Sequence, residues 1–108
     1  MSVIEKQPGE PWIPSARNIS DAIETCLNSR ANALLLYPEN LPPKFFDLSS
    51  GEAGEILQKL RQYRIRLAIV IPPDMKLTDC FRDLMVEENK STHFRLFHSP
   101  APAREWLK

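Results

Sequence analysis

Residues 33–38 read Ala-Leu-Leu-Leu-Tyr-Pro, and residues 66–73 read Arg-Leu-Ala-Ile-Val-Ile-Pro-Pro. Each is an unbroken apolar run, too short for a helix and closed by proline. A run with no polar alternation suits a strand buried on both faces, and such strands belong to parallel sheets covered by helices. The spacing therefore predicts strands over 33–37 and 66–71. His93 to Phe97 alternates instead, with Phe94 and Leu96 on one face and His93, Arg95 and Phe97 on the other. That pattern predicts a more exposed strand at a sheet edge.

Helical patterns fill the intervals. Ile19, Ala22, Ile23, Cys26 and Leu27 recur at helical spacing after Ser20, a good N-cap, and Asn28 to Asn32 is the polar exit. Ser49 with Glu52 reads as a capping box for a helix over 51–62, whose apolar face is Ala53, Ile56, Leu57, Leu60 and Tyr63. Gly54 inside it suggests close backbone packing. Asp74 or Thr78 caps a third helix carrying Leu77, Phe81, Leu84 and Met85, which closes at Glu88-Asn89-Lys90. Ser99-Pro100 opens a fourth, with proline at the first helical position and Ala103, Trp106 and Leu107 inward. Residues 2–6 form a short edge strand or part of an irregular leader that runs to residue 18. Strands alternating with helices imply right-handed crossovers. The expected fold is a single small α/β domain over 1–108, with a mostly parallel sheet of about four strands.

Composition narrows the function. The chain has 108 residues, enough for one core, with 43% hydrophobic and 26% charged residues, as in an ordinary globular domain. Fourteen basic and fourteen acidic residues cancel, so the basic excess of a non-specific nucleic-acid binder is absent. The charges are nonetheless segregated. Residues 1–55 hold eight acids and four bases, and residues 56–108 hold six acids and ten bases. One reading is that these charges solvate helix faces; the other is a bipolar surface that favours self-association, as a homodimer, or an acidic protein partner. No apolar run approaches a membrane span, and the N-terminus has no apolar signal core, which points to a cytoplasmic protein.

Most chemical motifs are missing. Prolines follow both apolar strands, and proline lacks the N–H that a phosphate cradle needs. Cys26, Cys80, His93 and His98 are scattered, without metal-ligand spacing, and both cysteines read as small buried hydrophobes. No metal and no cofactor are expected. Ser50, His98 and Asp47 could supply a hydrolytic triad in name, but the G-x-S-x-G elbow is absent. Catalysis is accordingly not the leading expectation.

One segment remains. Asp47-Leu48-Ser49-Ser50-Gly51 places an acid and two hydroxyls at the start of a helix. One reading is ordinary capping, with Asp47 closing an Asx turn. The other makes Asp47, Ser49 and Ser50 an interaction or phospho-acceptor loop, since a phosphate there would meet free N–H groups. Glu55, Gln58 and Lys59 fall on the polar side of the same helix, either as a solvated face with a Glu55–Lys59 pair or as a contact surface.

The motifs Asn40-Leu41-Pro42, Phe45-Phe46-Asp47-Leu48 and Ala53-Gly54-Glu55-Ile56-Leu57-Gln58-Lys59 carry a resemblance. Over residues 18–107 the chain resembles a bacterial domain-of-unknown-function (DUF) family. More distantly, its layout is similar to the sulfate-transporter and anti-sigma-factor-antagonist (STAS) domain, where a buried strand leads to Asp-Ser-Ser-Gly and a helix. That resemblance implies a regulatory module in which a partner kinase phosphorylates the first serine, here Ser49. This chain has Leu48 between the acid and the serines. The competing expectation is a ligand-binding protein or enzyme with a pocket between loops 38–50 and 72–77. Both loops follow the C-terminal ends of parallel strands, where ligands bind in such sheets.

Overall fold

The computed structural model describes residues 2–88 and 93–107. Four strands, β1 (Ser2–Glu5), β2 (Ala31–Leu36), β3 (Arg66–Val70) and β4 (Phe94–Phe97), form one sheet in the order β1-β2-β3-β4. Every pairing is parallel, with Val3 opposite Ala33, Leu35 opposite Ala68 and Ile69 opposite Leu96. Four helices follow the strands in turn: α1 (Ile19–Asn28), α2 (Glu52–Gln62), α3 (Asp79–Glu88) and α4 (Pro100–Leu107).

The sheet advances in one direction, so right-handed crossovers place α1, α2 and α3 on the same face. Their apolar residues join Leu34, Leu36, Leu67, Ile69 and Phe94 in one core. The opposite face, formed by Ala33, Leu35, Ala68 and Val70, is covered by Ala103 and Leu107 of α4. Side chains alternate between faces along a strand, so β2 and β3 are buried on both sides. That is why their sequences are unbroken apolar runs. Phe94 and Leu96 face the three-helix core and Phe97 faces α4, as the alternation of β4 predicts.

The element ends differ in detail from the sequence expectation. β2 begins at Ala31 and leaves Tyr37 outside it. Helix α1 starts at Ile19, with Asn18 rather than Ser20 at the N-cap position. Thr78 caps α3 through a bond from the Phe81 N–H to its Oγ1 at 3.1 Å. The expected exit at Asn89-Lys90 and the side chain of Cys80 lie outside the described residues. Helix α2 ends in a Schellman turn: Ile65 N–H donates to the Leu60 carbonyl and Arg64 N–H to that of Arg61. Arg64, and likewise Arg30 before β2, has φ of 56°, a conformation usually given to glycine. Leu27 and Tyr63, expected on inward faces, are 55% and 50% exposed.

The least anticipated feature is Asn40, a polar residue with no exposed surface. Its Oδ1 accepts from the Tyr37 N–H at 2.7 Å, and its Nδ2 donates to the Gln7 and Glu10 carbonyls at 2.9 and 2.6 Å. Its backbone carbonyl accepts from the N–H groups of Trp12 and Ile13. One amide thus ties the leader to the turn after β2, and Ile13 enters the core beneath it.

Replacing Asn40 with Ala strips the amide partner from three backbone groups, the Tyr37 N–H and the Gln7 and Glu10 carbonyls. The variant is expected to lose about 3 kcal/mol or more in urea unfolding, with residues 7–13 becoming sensitive to limited proteolysis.

Gly54 shows the opposite situation. It is exposed, its helical backbone has no unusual φ, and a Cβ there would meet nothing within 4 Å. The expected close packing does not occur. Gly54→Ala is therefore expected to stabilise the domain by about 1 kcal/mol, raising the melting temperature by about 4–8 °C in calorimetry.

Candidate functional site

The connection from Pro38 to Gly51 is long and irregular, yet it is held firmly in two places. Asn40 fixes its start. Phe45 fixes its middle, fully buried, with its ring centroid 5.1 Å from Phe46, 6.0 Å from Phe81 of α3 and 6.4 Å from Phe94 of β4. Phe46 also packs on Phe81 at 5.1 Å. This aromatic cluster buries the adjacent rings, as their chemistry requires. It also delivers the following residues, Asp47 to Gly51, to the surface at the start of α2.

The two serines there have different tasks. Ser50 Oγ lies 2.9 Å from the Lys44 carbonyl and 2.7 Å from the Asp47 carbonyl, and it accepts from the Glu52 N–H at 3.2 Å. It closes the turn and satisfies one of the open N–H groups at the helix start. Ser49 does not cap. The N-cap position is Gly51, with φ of 78°, so the expected Ser49–Glu52 capping box is not formed. Instead the Ser49 N–H and hydroxyl both donate to Asp47 Oδ1, at 3.1 and 2.6 Å. This is the Asx turn anticipated from the sequence. With Leu48 between them, Ser49 stands two residues after Asp47, where its N–H and its hydroxyl both reach the carboxylate.

These bonds act on the acid. The Ser49 hydroxyl first, then the Ser49 N–H, and finally the charge of Lys44 hold the Asp47 carboxyl below the usual carboxylate range. Asp47, Ser49 and Ser50 are all exposed, as are Glu55, Gln58 and Lys59 on α2. Among the described residues no ion pair joins Glu55 to Lys59. Lys59 lines a groove between α1 and α2 of about 170 Å3, together with Ser20, Ile23, Glu24, Leu27 and Tyr63.

A second concavity lies at the C-terminal ends of the strands. It measures about 230 Å3 and combines Tyr37, Glu39 and His98 with apolar walls from Pro8, Pro38, Val70, Ile71 and Pro72. His98 Nδ1 stands 3.4 Å from the Ile71 carbonyl. The hollow draws on the starts of both loops expected to form a pocket, but not on 40–50 or 73–77. A sheet wound in one direction has no reversal of strand order, and so lacks the crevice where such sheets usually hold ligands. Asp47 accepts from Ser49 rather than from His98, so Ser50, His98 and Asp47 do not form a relay.

Cys26 is fully buried, and burial pushes its thiol up to about 11, which keeps it protonated and inert at neutral pH. Among the described residues no group of three or more His, Cys, Asp or Glu could hold a metal ion. No helix among them is long and apolar enough to cross a membrane.

These features define a small α/β domain with an all-parallel, singly wound sheet and a polar helix-start loop. The chain belongs to the family described as Domain of unknown function (DUF4180), whose model matches residues 1–107. The match includes the leader that Asn40 ties down, which the sequence resemblance had left out. No curated protein and no solved structure matches the chain.

The two serines separate in mutagenesis. Ser50→Ala is expected to lower the melting temperature by about 4–8 °C, because a turn and a helix-start bond are lost. Ser49→Ala should leave it within about 3 °C of wild type, as for other surface changes. Its mark is on titration. The Asp47 pKa, followed by carboxyl-carbon NMR, should rise toward the ordinary value in Ser49→Ala. The folded carboxyl is depressed relative to the unfolded chain. Its contribution is therefore present above the ordinary carboxylate pKa and is lost as pH falls through the depressed one.

Proposed function

We propose that the chain is a non-enzymatic regulatory module of the bacterial cytoplasm, similar in layout to the STAS domain, which works by binding a protein partner. Its working surface is the loop 47–51 with the adjoining side of α2, where Glu55, Gln58 and Lys59 stand. The observation that carries this reading is the division of labour between the serines. Ser50 holds the loop in shape, while Ser49 is exposed and bonded to an exposed carboxylate. A phosphate on Ser49 would add about −1.5 to −2 charge beside Asp47 and abolish the hydroxyl donor. Fold and turn would persist through Ser50, so the change would be one of surface charge at a contact. The strand-end hollow favours a ligand-binding reading less, since its volume of about 230 Å3 is below the usual span of small-molecule sites, about 300–1,000 Å3.

Partner capture from the native host compares wild type, Ser49→Ala and Ser49→Asp. Ser49→Ala is expected to retain the partner and Ser49→Asp to lose it, with all three chains folded in thermal melts. Equal capture by all three rejects the switch.

A further inference from the structure

We propose, resting on the interaction reading above, that a second copy of this chain docks in the groove between α1 and α2, giving a weak two-fold symmetric dimer. Ile23, buried at 4% exposure, forms the floor of this groove. Leu27 lies one turn beyond it on α1, and Tyr63 one turn beyond Lys59, at the C-cap of α2. These two are among the large apolar residues left substantially exposed, at 55% and 50%. They continue the apolar stripes of their helices past the edge of the core. An apolar patch with a polar rim marks an interaction surface.

The charges on the rim indicate the occupant. Glu24 stands on the α1 wall and Lys59 on the α2 wall. Among the described residues no ion pair joins them. A two-fold axis through the groove sets each α1 against the α2 of the other copy. Glu24 of one copy then faces Lys59 of the other, twice, around a centre built from both Leu27 and both Tyr63 side chains. The surface is thus complementary to itself. A partner carrying one sign of charge would be repelled by one of the walls. The formal net charge of zero removes the general repulsion that keeps like chains apart. Helices of 10 and 11 residues are about 15 Å long, so the contact is smaller than a standard interface. The dissociation constant is accordingly expected to be on the order of tens of micromolar or weaker.

Sedimentation velocity of the full chain, over roughly 10 µM to 1 mM, reads the association directly. Wild type should shift from monomer toward dimer. Leu27→Asp, at an exposed position that leaves the fold intact in thermal melts, should stay monomeric. Glu24→Lys and Lys59→Glu should each weaken the dimer about tenfold, and the two together in one chain should restore it. The proposal is overturned by a wild type that stays monomeric throughout. It is equally overturned by a dimer indifferent to Leu27→Asp, or by a double reversal no better than the single ones. A monomeric wild type whose partner capture still depends on Ser49 would remove the second copy and leave the interaction reading standing. Dimerisation with capture blind to Ser49 would do the reverse.

Discussion

A parallel sheet that winds in one direction puts all of its crossover helices on one face and leaves the other bare. Everything distinctive in this domain answers that constraint. The bare face of β2 and β3 is as apolar as the covered one, so the chain must turn back after β4 and lay α4 across it. Small residues allow the close approach: Ala33 and Ala68 from the sheet meet Ala103 from the helix, all three fully or almost fully buried. Trp106 then fills the rim, packed at a tilt against Phe97 at 5.8 Å between centroids and approached by the Arg66 and Arg95 guanidinium groups at 4.3 and 5.4 Å. Arg66 also donates to the Trp106 carbonyl at 2.7 Å, near the end of the helix. At the far edge Arg104 bonds Glu5 of β1 at 2.8 Å, in an exposed pair that orients more than it stabilises. A single short helix still cannot span the whole face, and Val3 at the β1 edge stays 41% exposed.

The same winding governs where function can sit. Without a reversal of strand order there is no crevice at the strand ends, and the hollow by Tyr37, Glu39 and His98 is shallow. The opposite consequence is that three helices share one face of the sheet, with α1 and α2 packed side by side. The loop 47–51 lies at the head of α2 and the α1–α2 groove beside it. Asn40 and the Phe45 cluster make the loop a fixed feature rather than a loose one, because one end is bonded to the leader and the middle is anchored in the core. A side chain such as Ser49 can then change its charge without carrying the backbone with it.

Much of this was legible in the residues themselves. The unbroken runs at 33–37 and 66–71 declared buried parallel strands, and the alternation in 94–97 declared an edge. The Asx turn at Asp47 was also readable, since Asp followed two residues later by Ser is a local pattern. Local patterns failed where several neighbours compete for one role. Ser49 has the spacing of a capping box, but it lies within a separate turn over Leu48–Ser50 that ends before α2 begins, and its hydroxyl donates to Asp47. Gly51 takes the cap position instead, because its φ of 78° suits glycine.

The sequence by itself determined which segments are strands and helices and which faces of them are apolar. These depend on periodicity and on bonds between near neighbours. Tertiary structure alone decided what covers those faces. Leu27 and Tyr63 have the period of core residues, yet they lie beyond the reach of the sheet, because a stripe records only the direction a side chain points. Asn40 has the look of an ordinary turn residue. Its burial depends on Gln7 and Glu10, some thirty positions earlier, returning to the end of β2, where their carbonyls accept from its amide. No local pattern encodes that meeting, since it exists only once the leader has crossed the end of the sheet.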